Sequence, residues 1–353
     1  MKKMNSTSKK VLLVVGTRPN FIKITQFHNA IKNSNKNIDL KIIHTGQHYD
    51  FNMSKVFFDQ LKIQEPDVFL NSKGKTPASQ IGNIIIELEK IFNSFTPDVA
   101  IVVGDVNSTL AAAISANKCG IAVAHLESGL RSNDLEMPEE INRILTDKIT
   151  DIYFVTEQSG LDNLKQEGIP DSKVHFVGNT MIDTLVHFEN DIEKSDILEK
   201  LKVDTYVLMT MHRPRNVDTK DKIEVLFNVI NKITETYQLI LPIHPRTKNS
   251  FLKHGFWDLL EKNSNLIVTE ALDYFAFQKL IKYAQFVITD SGGIQEETTF
   301  RRVPCLTLRD NTERPSTLTL GTNKLVEYNI ESVSKELKLI ADNKLKQGTI
   351  PPK

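Results

Sequence analysis

The stretch VAIVVGDVNSTLAAAISANKCGIAVAHLE, residues 99–127, contains two short apolar runs separated by a longer helix-like segment. The runs VAIVVG (99–104) and IAVAHL (121–126) are almost continuously apolar, which is typical of strands buried on both faces of a sheet. Two such strands with a helical connection predict a parallel pair. The stretch therefore indicates an α/β fold.

The same alternation of apolar runs and helix-like segments continues along the whole chain. Segments such as FIKITQFHNAIK and KIEVLFNVINKITETY carry apolar residues at the i, i+3, i+4 and i+7 spacing of an amphipathic helix. This pattern predicts doubly wound parallel sheets. The other predicted strands are 11–15, 40–45, 151–156, 173–178, 206–211, 239–244, 266–271, 286–290, 304–308 and 324–328.

A charged, helix-like segment near residues 179–204 interrupts the series of predicted strands. The segment begins with GNTMIDTL and becomes highly charged in ENDIEKSDILEKLKVD. A second series of strands then begins at Tyr206. We therefore predict two α/β domains, residues 1–178 and residues 179–353, with a cleft between them.

The charge balance and the termini exclude several classes of function. The 353 residues include 44 Lys and Arg and 44 Asp and Glu, so the formal net charge is zero, and we predict no nucleic-acid binding. The N-terminal run VLLVV is too short for a signal peptide or a membrane span, so we predict a cytoplasmic protein without a membrane partner. The sequence has no clustered Cys and His spacing of the kind that binds zinc, so we expect no metal.

Side chains capable of chemistry follow many of the predicted strands. In open α/β sheets, ligands bind outside the carboxyl ends of the strands, so a site is expected among these residues. In GTRPNFIK, Gly16 follows a strand, and Arg18 and Lys23 supply positive charge near a predicted helix start. The segment suits a phosphate, although an ordinary strand–helix turn explains it equally well.

A second segment that suits an anion is DSGGIQEE, residues 290–297. Ser291, Gly292 and Gly293 allow the backbone to approach a ligand at a helix start. Glu297, about one helical turn later, can accept hydrogen bonds from ribose hydroxyls. The alternative is a glycine-rich turn with acidic residues that stabilise the helix dipole. One such segment in each domain predicts a phosphate-bearing ligand between the domains.

Four carboxylates are candidates for proton chemistry. Asp105 and Glu127 each follow a buried strand, where partial burial is a common way to tune a carboxyl group for general acid–base catalysis. Glu139 and Glu140 come directly after Pro138 at a predicted helix start. Helix logic alone favours a stabilising role in the first turn for these two residues.

Two histidines, His212 and His244, follow strands of the predicted second domain. Each one taken alone is better explained as a hydrogen-bonded structural residue. Together with the carboxylates and the two anion segments, they fit acid–base chemistry on a phosphorylated ligand.

Ten motifs, in order, resemble those of the non-hydrolysing UDP-N-acetylglucosamine 2-epimerases. They are GTRPNFIK, HTGQHYD, GDVNSTLA, HLESGLRS, MPEEINR, VGNTMIDTL, MHRPRNVD, HPRT, TDSGGIQEE and LRDNTERP. The resemblance implies two Rossmann-like domains in a glycosyltransferase-B arrangement, with an active site in the interdomain cleft. It also implies reversible conversion of UDP-GlcNAc to UDP-ManNAc by elimination of UDP to 2-acetamidoglucal and re-addition, for surface polysaccharide precursors. The resemblance further implies that the enzyme needs no cofactor and that the protein forms a homodimer.

The resemblance also implies roles for individual residues. Asp105, Glu127 and Glu139 are implied in proton transfers, and His212 in stabilising or protonating the leaving UDP. Arg143 and His244 are further candidates. The residues implied in substrate binding are Arg18 and Lys23 for phosphates or sugar, Leu272 and Phe277 for uracil, Ser291, Gly292 and Gly293 for the diphosphate, Glu297 for the ribose, and Arg314 for the nucleotide.

The chain departs from the family pattern in two places. Many members have His-Arg-x-Glu where this chain has HRPR, so Arg215 reverses a charge beside the predicted site. The family pattern also continues into a C-terminal helix that crosses back to the first domain, whereas this sequence ends at QGTIPPK, and we expect that helix to be absent. Some relatives bind UDP-GlcNAc as an activator, and the corresponding candidate effector site here includes Gln47 and His48.

Three other functions stay open on the sequence. The nearest is the same chemistry on a UDP-2,3-diacetamido sugar uronate, because Arg215 suits a charged sugar. A glycosyltransferase with the same two-domain plan requires an acceptor and does not require three proton-handling carboxylates. A nucleotide-sugar sensor would bind the ligand without turnover.

Overall fold

The structure is a computed structural model that describes residues 8–47, 58–70, 72, 74–342, 344 and 346–351. The chain divides into two compact units, of which the first ends at His187 and the second begins at Phe188. The predicted boundary, after Gly178, precedes the helix Thr180–His187. That helix packs within the first unit, where the Thr184 hydroxyl donates a 2.6 Å hydrogen bond to the carbonyl of Ile22.

The first unit is built on a parallel sheet with helices on its faces. Its described strands are β1 (Lys9–Val15), β2 (Ile38–His44), β3 (Val68–Phe69), β4 (Val99–Val103), β5 (Ala122–Leu126), β6 (Ile152–Val155) and β7 (Val174–Phe176). They lie in the order β3-β2-β1-β4-β5-β6-β7, so the strand order reverses between β1 and β4. Its described α-helices are α1 (Arg18–Ile24), α2 (Phe27–Asn33), α3 (Pro77–Phe95), α4 (Asn107–Lys118), α5 (Pro138–Lys148), α6 (Gln158–Gln166) and α7 (Thr180–His187).

The second unit repeats this plan. Its strands are β8 (Val207–Thr210), β9 (Leu239–Pro242), β10 (Leu266–Thr269), β11 (Val287–Thr289), β12 (Cys305–Thr307) and β13 (Asn323–Leu325), in the parallel order β10-β9-β8-β11-β12-β13. The strand order reverses between β8 and β11. The helices are α8 (Glu189–Glu193), α9 (Ile197–Leu201), α10 (Pro214–Val217), α11 (Lys220–Thr234), α12 (Pro245–Lys253), α13 (Trp257–Glu261), α14 (Tyr274–Tyr283), α15 (Gly292–Arg301), α16 (Pro315–Thr319) and α17 (Ile330–Ala341).

The predicted class, doubly wound parallel sheets, is confirmed. Each predicted strand coincides with an observed one, with ends that differ by a few residues. The sequence missed β3, because a strand of two residues has no measurable apolar run. It also predicted one helix over FIKITQFHNAIK, where α1 and α2 are separate helices. Within the described residues, no helix has the length and apolar character needed to cross a membrane.

The reversals of strand order decide where each unit can bind a ligand. In doubly wound sheets, the crevice lies at the carboxyl ends of the two strands where the order reverses. In the first unit, β1 leads into Gly16 and β4 leads into Gly104. In the second unit, β8 leads to His212 and β11 leads into Asp290. The segments singled out in the sequence therefore follow the strands at these two points.

Candidate active site

Glu127 follows β5 in an unusual backbone conformation. Its φ is 72°, in the left-handed region that residues with a side chain rarely adopt. The side chain is buried, with 4% of the residue exposed. The N–H groups of Glu127 and Ser128 both donate to the carbonyl of Phe154, at 3.0 and 3.2 Å, and these bonds hold the turn in place. Such conformations are costly and cluster at functional sites.

The carboxylate of Glu127 forms a buried ion pair with Lys23 of α1. Gly104 lies against this pair, because a Cβ atom at Gly104 would be 3.2 Å from both Glu127 Oε2 and Lys23 Nζ. The ammonium is the charged partner of this buried carboxylate. The sequence placed Lys23 at the phosphates or the sugar of a ligand. The structure places its ammonium on Glu127, 104 residues further along the chain, and no local sequence signal could reveal that.

Asn20 joins the segment after β1 to the end of β4, a role that the sequence did not reveal. Its side-chain oxygen accepts hydrogen bonds from the N–H groups of Gly16 and Thr17, both at 3.1 Å. Its side-chain nitrogen donates to the carbonyl of Val103 at 3.1 Å. Asparagine in a strand–helix turn is a recognised signal of such bonding. The start of α1, and with it Lys23, is therefore fixed to the neighbouring strand.

Asp105 lies one strand away from Glu127, at the same edge of the sheet. Arg143 of α5 donates to its carboxylate at 2.7 Å, and the side chain of Asn142 donates to its carbonyl at 2.9 Å. Asp105 stays partly exposed, whereas Arg143 is buried. The edge thus carries one buried and one accessible carboxylate, each paired with a cation, and the candidate Arg143 holds Asp105 in position.

Glu139 and Glu140, which are adjacent at the start of α5, lie in opposite environments. Glu139 is exposed, whereas 1% of Glu140 is exposed. Glu140 accepts hydrogen bonds from the N–H groups of Ser132 and Asn133, both at 2.9 Å, and from Arg143 at 2.6 Å. Glu140 therefore has a structural role, as predicted, but it does not act mainly through the helix dipole. Its carboxylate instead connects α5 to the loop after β5 by hydrogen bonds. Glu139 is open to a ligand.

We expect Glu140→Ala to destabilise the protein by about 3–5 kcal/mol, because it leaves a buried arginine and two N–H groups without this partner. The matched substitution Glu139→Ala should change stability by less than about 0.5 kcal/mol, since that side chain is exposed. Urea denaturation measures both free energies of unfolding. Equal stability of the two variants would show that Glu140 does not hold the loop.

In the second unit, His212 is oriented by Asp290. The Nδ1 atom of His212 is 3.0 Å from Asp290 Oδ1, and the ring is partly exposed. Asp290 is fully buried and also accepts from the N–H of Arg213 at 2.9 Å and from the side chain of Asn216 at 3.2 Å. Burial alone raises the pKa of Asp290, but the hydrogen bonds from His212 and Arg213 more than offset it and hold that pKa below its ordinary value.

This arrangement decides which nitrogen of His212 is available. An ionised Asp290 requires Nδ1 to carry a proton, so Nε2 is the nitrogen free to exchange one. The sequence did not assign a role to Asp290, although it follows a strand as His212 does. His244, the other candidate histidine, is exposed and accepts a 3.1 Å hydrogen bond from the N–H of Arg246, so it caps α12. Its ring centroid lies 5.5 Å from that of His212.

The glycine-rich segment after β11 forms the start of α15. Ser291 is the N-cap, and its N–H donates to the hydroxyl of Thr289 at 3.0 Å. A Cβ atom at Gly292 would be 2.3 Å from Glu313 Oε1, so a larger residue there would have to displace that carboxylate. Gly292 and Gly293 are the first two residues of this 10-residue helix. Because neither has a side chain, their backbone N–H groups are accessible and suited to bind an anion.

Glu297 lies on α15 and is buried. Burial raises its pKa to about 7, and Gln278 and Arg301 offset only part of this effect. A carboxyl group in that range can both donate to and accept from a sugar hydroxyl. Arg314, the other nucleotide-binding candidate on this side, is 3.3 Å from the carboxylate of Glu296.

The remaining candidates lie in less informative surroundings. Arg18 is the first residue of α1 and is half-buried. Leu272 and Phe277 are partly buried and pack against the apolar cluster that includes Ile294 of α15. The two residues predicted to contact uracil therefore share a surface with the helix that carries the glycine segment.

The candidate effector residues are only partly covered by the structure. Gln47 accepts hydrogen bonds from the N–H and the hydroxyl of Ser108, at 2.9 and 2.6 Å. His48 lies outside the described residues. In the part of the chain that is described, no group of three or more His, Cys, Asp or Glu side chains is arranged to hold a metal ion.

A comparison with known protein families shows to which family the chain belongs. A family model described as UDP-N-acetylglucosamine 2-epimerase matches residues 29–351. The chain belongs to this family. As a member of the UDP-N-acetylglucosamine 2-epimerase family it is an isomerase, and its two Rossmann-like parallel-sheet units have the fold of solved members.

Individual relatives are similar over almost their whole length. The UDP-N-acetylglucosamine 2-epimerase of Methanocaldococcus jannaschii is 41% identical over 342 residues, which cover 95% of this chain and 93% of the relative. A UDP-2,3-diacetamido-2,3-dideoxy-D-glucuronate 2-epimerase of Pseudomonas aeruginosa is 37% identical over 90% of this chain and 88% of the relative. The crystal structure of the M. jannaschii enzyme in complex with UDP-GlcNAc and UDP matches with a TM-score of 0.91 and 40% identity, covering 98% of this chain and 96% of that chain.

The two units present different groups at these sheet edges. The first unit presents carboxylates that are each held by a cation, which suits proton transfer. The second presents a histidine oriented by a buried aspartate and a glycine-rich helix start, which suit a diphosphate.

Proposed function

We propose that the protein reversibly inverts C2 of UDP-GlcNAc to give UDP-ManNAc, as a step toward surface polysaccharide precursors. The proposal rests on two ion pairs at one edge of the sheet. Glu127 pairs with Lys23, and the carboxylate of Asp105 lies 2.7 Å from the guanidinium of Arg143. Inversion at C2 needs one group to remove a proton and another to supply one on the opposite face. Two fixed carboxylates in different environments suit these two tasks.

The reaction we propose is an elimination followed by an addition. A carboxylate removes the proton from C2, the electron pair forms the C1–C2 double bond, and the bond from C1 to the UDP oxygen breaks. The products of this half-reaction are 2-acetamidoglucal and UDP. Re-addition of the UDP oxygen to C1, with a proton delivered to the other face of C2, completes the inversion without any net oxidation or cofactor.

We assign UDP to the second unit. Ser291, Gly292 and Gly293 bind the diphosphate through the start of α15, and Glu297 binds the ribose. His212, with Asp290 on its Nδ1, stabilises or protonates the departing phosphate through Nε2. In the first unit, Asp105, Glu127 and Glu139 share the proton transfers. The enzyme must keep both UDP and 2-acetamidoglucal bound between the two half-reactions, because dissociation of either one prevents the re-addition.

Incubation of the protein with UDP-GlcNAc in deuterated water tests the proposal. We expect UDP-ManNAc to form and both sugars to gain deuterium at C2, because the proton removed there exchanges with the solvent. Proton NMR measures the product and the exchange. Epimerisation without deuterium at C2 would rule out proton exchange there and contradict a transfer that uses two separate groups, and binding without turnover would favour a nucleotide-sugar sensor.

A second candidate substrate is a UDP-2,3-diacetamido sugar uronate. It is favoured by Arg215, which is exposed beside the His212 segment and pairs with Asp310 at 2.8 Å, and by the P. aeruginosa relative. The same assay with both sugars separates the candidates by kcat/KM. A preference for the uronate that disappears in Arg215→Glu would assign the charge of residue 215 to substrate choice.

A further inference from the structure

His125, on β5, is buried between two hydrogen-bond acceptors and has no part in the mechanism above. None of its surface is exposed. Its Nδ1 atom is 2.7 Å from Asp147 Oδ1, on α5, and its Nε2 atom is 2.8 Å from the carbonyl oxygen of Gly104. Both ring nitrogens are therefore engaged.

The two partners restrict the protonation state of the ring. A carbonyl oxygen can only accept, so Nε2 must carry a proton. Asp147 is ionised, because it also accepts from the N–H of Gly129 at 3.0 Å and pairs with Arg131 at 2.8 Å. Burial alone raises the pKa of Asp147, but His125 and Arg131 hold that pKa below its ordinary value. An ionised carboxylate only accepts, so Nδ1 must carry a proton as well.

We propose that His125 is a buried imidazolium that positions Gly104 and, through it, the carboxylates on either side. Gly104 precedes Asp105 directly, and it lies against the Lys23–Glu127 pair. Its φ of 69° lies in the left-handed region that favours glycine. Its N–H donates to the carbonyl of Leu126 at 2.9 Å. The bond from His125 fixes the other side of the same residue.

The charges around the ring are balanced. On α5 and the loop after β5, Asp147 faces the ring and is shared with Arg131, which also pairs with Glu167 at 2.9 Å. On β6, the hydroxyl of Tyr153 donates to the carbonyl of Asp147 at 2.7 Å. The pair of Lys23 and Glu127 also lies against Gly104. The imidazolium thus places a positive charge next to Gly104, close to the carboxylates assigned to proton transfer.

The protonation state can be measured without any turnover. In protein labelled with ¹⁵N-histidine, both ring nitrogens of His125 should give the shifts of protonated nitrogens at neutral pH, because each faces an acceptor. The signals are assigned by their absence in His125→Gln. A ring nitrogen without a proton at neutral pH would overturn the proposal.

The positioning role rests on the proposed function and is measured by kinetics on UDP-GlcNAc. His125→Phe fills the space without any donor, and we expect kcat to fall by about 100-fold, with KM changed by less than about 3-fold. His125→Gln restores a donor toward Gly104 and should recover kcat to within about 10-fold of wild type. In both variants, the acidic limb of the kcat/KM profile should move to higher pH, because the positive charge is gone.

The same replacement at the exposed His175 is the matched control and should leave kcat, KM and the pH profile unchanged. Wild-type kcat in His125→Phe would overturn the positioning role. An acidic limb that does not move in His125→Gln would overturn it as well, even if His125→Phe does not fold. Absence of epimerisation by the wild-type protein would overturn the proposed function instead, and the NMR measurement would still decide the charge of His125.

Discussion

Glu127→Gln is expected to lower kcat by about 10²–10⁴-fold, because an amide of the same shape cannot exchange the proton that inversion at C2 requires. UDP binding should stay near normal, since the groups assigned to UDP belong to the second unit. Turnover is measured by the formation of UDP-ManNAc and by exchange of deuterium at C2. UDP affinity is measured by calorimetry on the same preparation.

The ion pair with Lys23 adds a second expected effect. Removal of the charge on Glu127 leaves a buried ammonium with a neutral partner, although the amide oxygen still accepts its hydrogen bond. We therefore expect a lower thermal midpoint as well as a lower rate. Glu65→Gln, at an exposed position of the same unit, controls for the loss of one carboxylate. Near-wild-type turnover in Glu127→Gln would remove this residue from the mechanism.

The sequence predicted which residues end the strands, and for a physical reason. Strands buried on both faces must be continuously apolar, so the first polar residues after each run mark the edge of the sheet. Asp105, Glu127, His212 and Ser291 were all found in this way. The strand order, which brings particular edges together, leaves no such local trace.

Long-range pairs are therefore what the sequence could not supply. Lys23 meets Glu127 across 104 residues, and His212 meets Asp290 across 78. The second pair joins the ends of the neighbouring strands β8 and β11, and the first joins α1, after β1, to the end of β5, with β4 between the two strands. The same limit applies to Glu140, because helix position alone does not distinguish a carboxylate that turns inward from its exposed neighbour.

Asp290→Asn is the other substitution with a large expected effect, on the order of 10²–10³-fold in kcat. In the structure, Asp290 Oδ2 receives the N–H of Arg213 at 2.9 Å and the side chain of Asn216 at 3.2 Å, while Oδ1 faces Nδ1 of His212 at 3.0 Å. An asparagine that keeps its oxygen on the first two donors must turn its NH₂ group toward His212. Nδ1 then has to accept from this NH₂ group, so the ring keeps its single proton on Nε2. No carboxylate is left to stabilise the doubly protonated ring that gives a proton to the departing phosphate.

The pH dependence of stability gives an independent readout of the same residue. Because the pKa of Asp290 is lowered in the folded protein, its contribution to stability is fully present above the ordinary value of 3.8 and is lost as the pH falls through the lowered value. The stability gap between wild type and Asp290→Asn should thus be constant near neutrality and shrink below about pH 4. Asp221→Asn, at an exposed position on α11, should show neither effect. Full activity in Asp290→Asn, with a stability gap that does not depend on pH, would mean that His212 works without the aspartate.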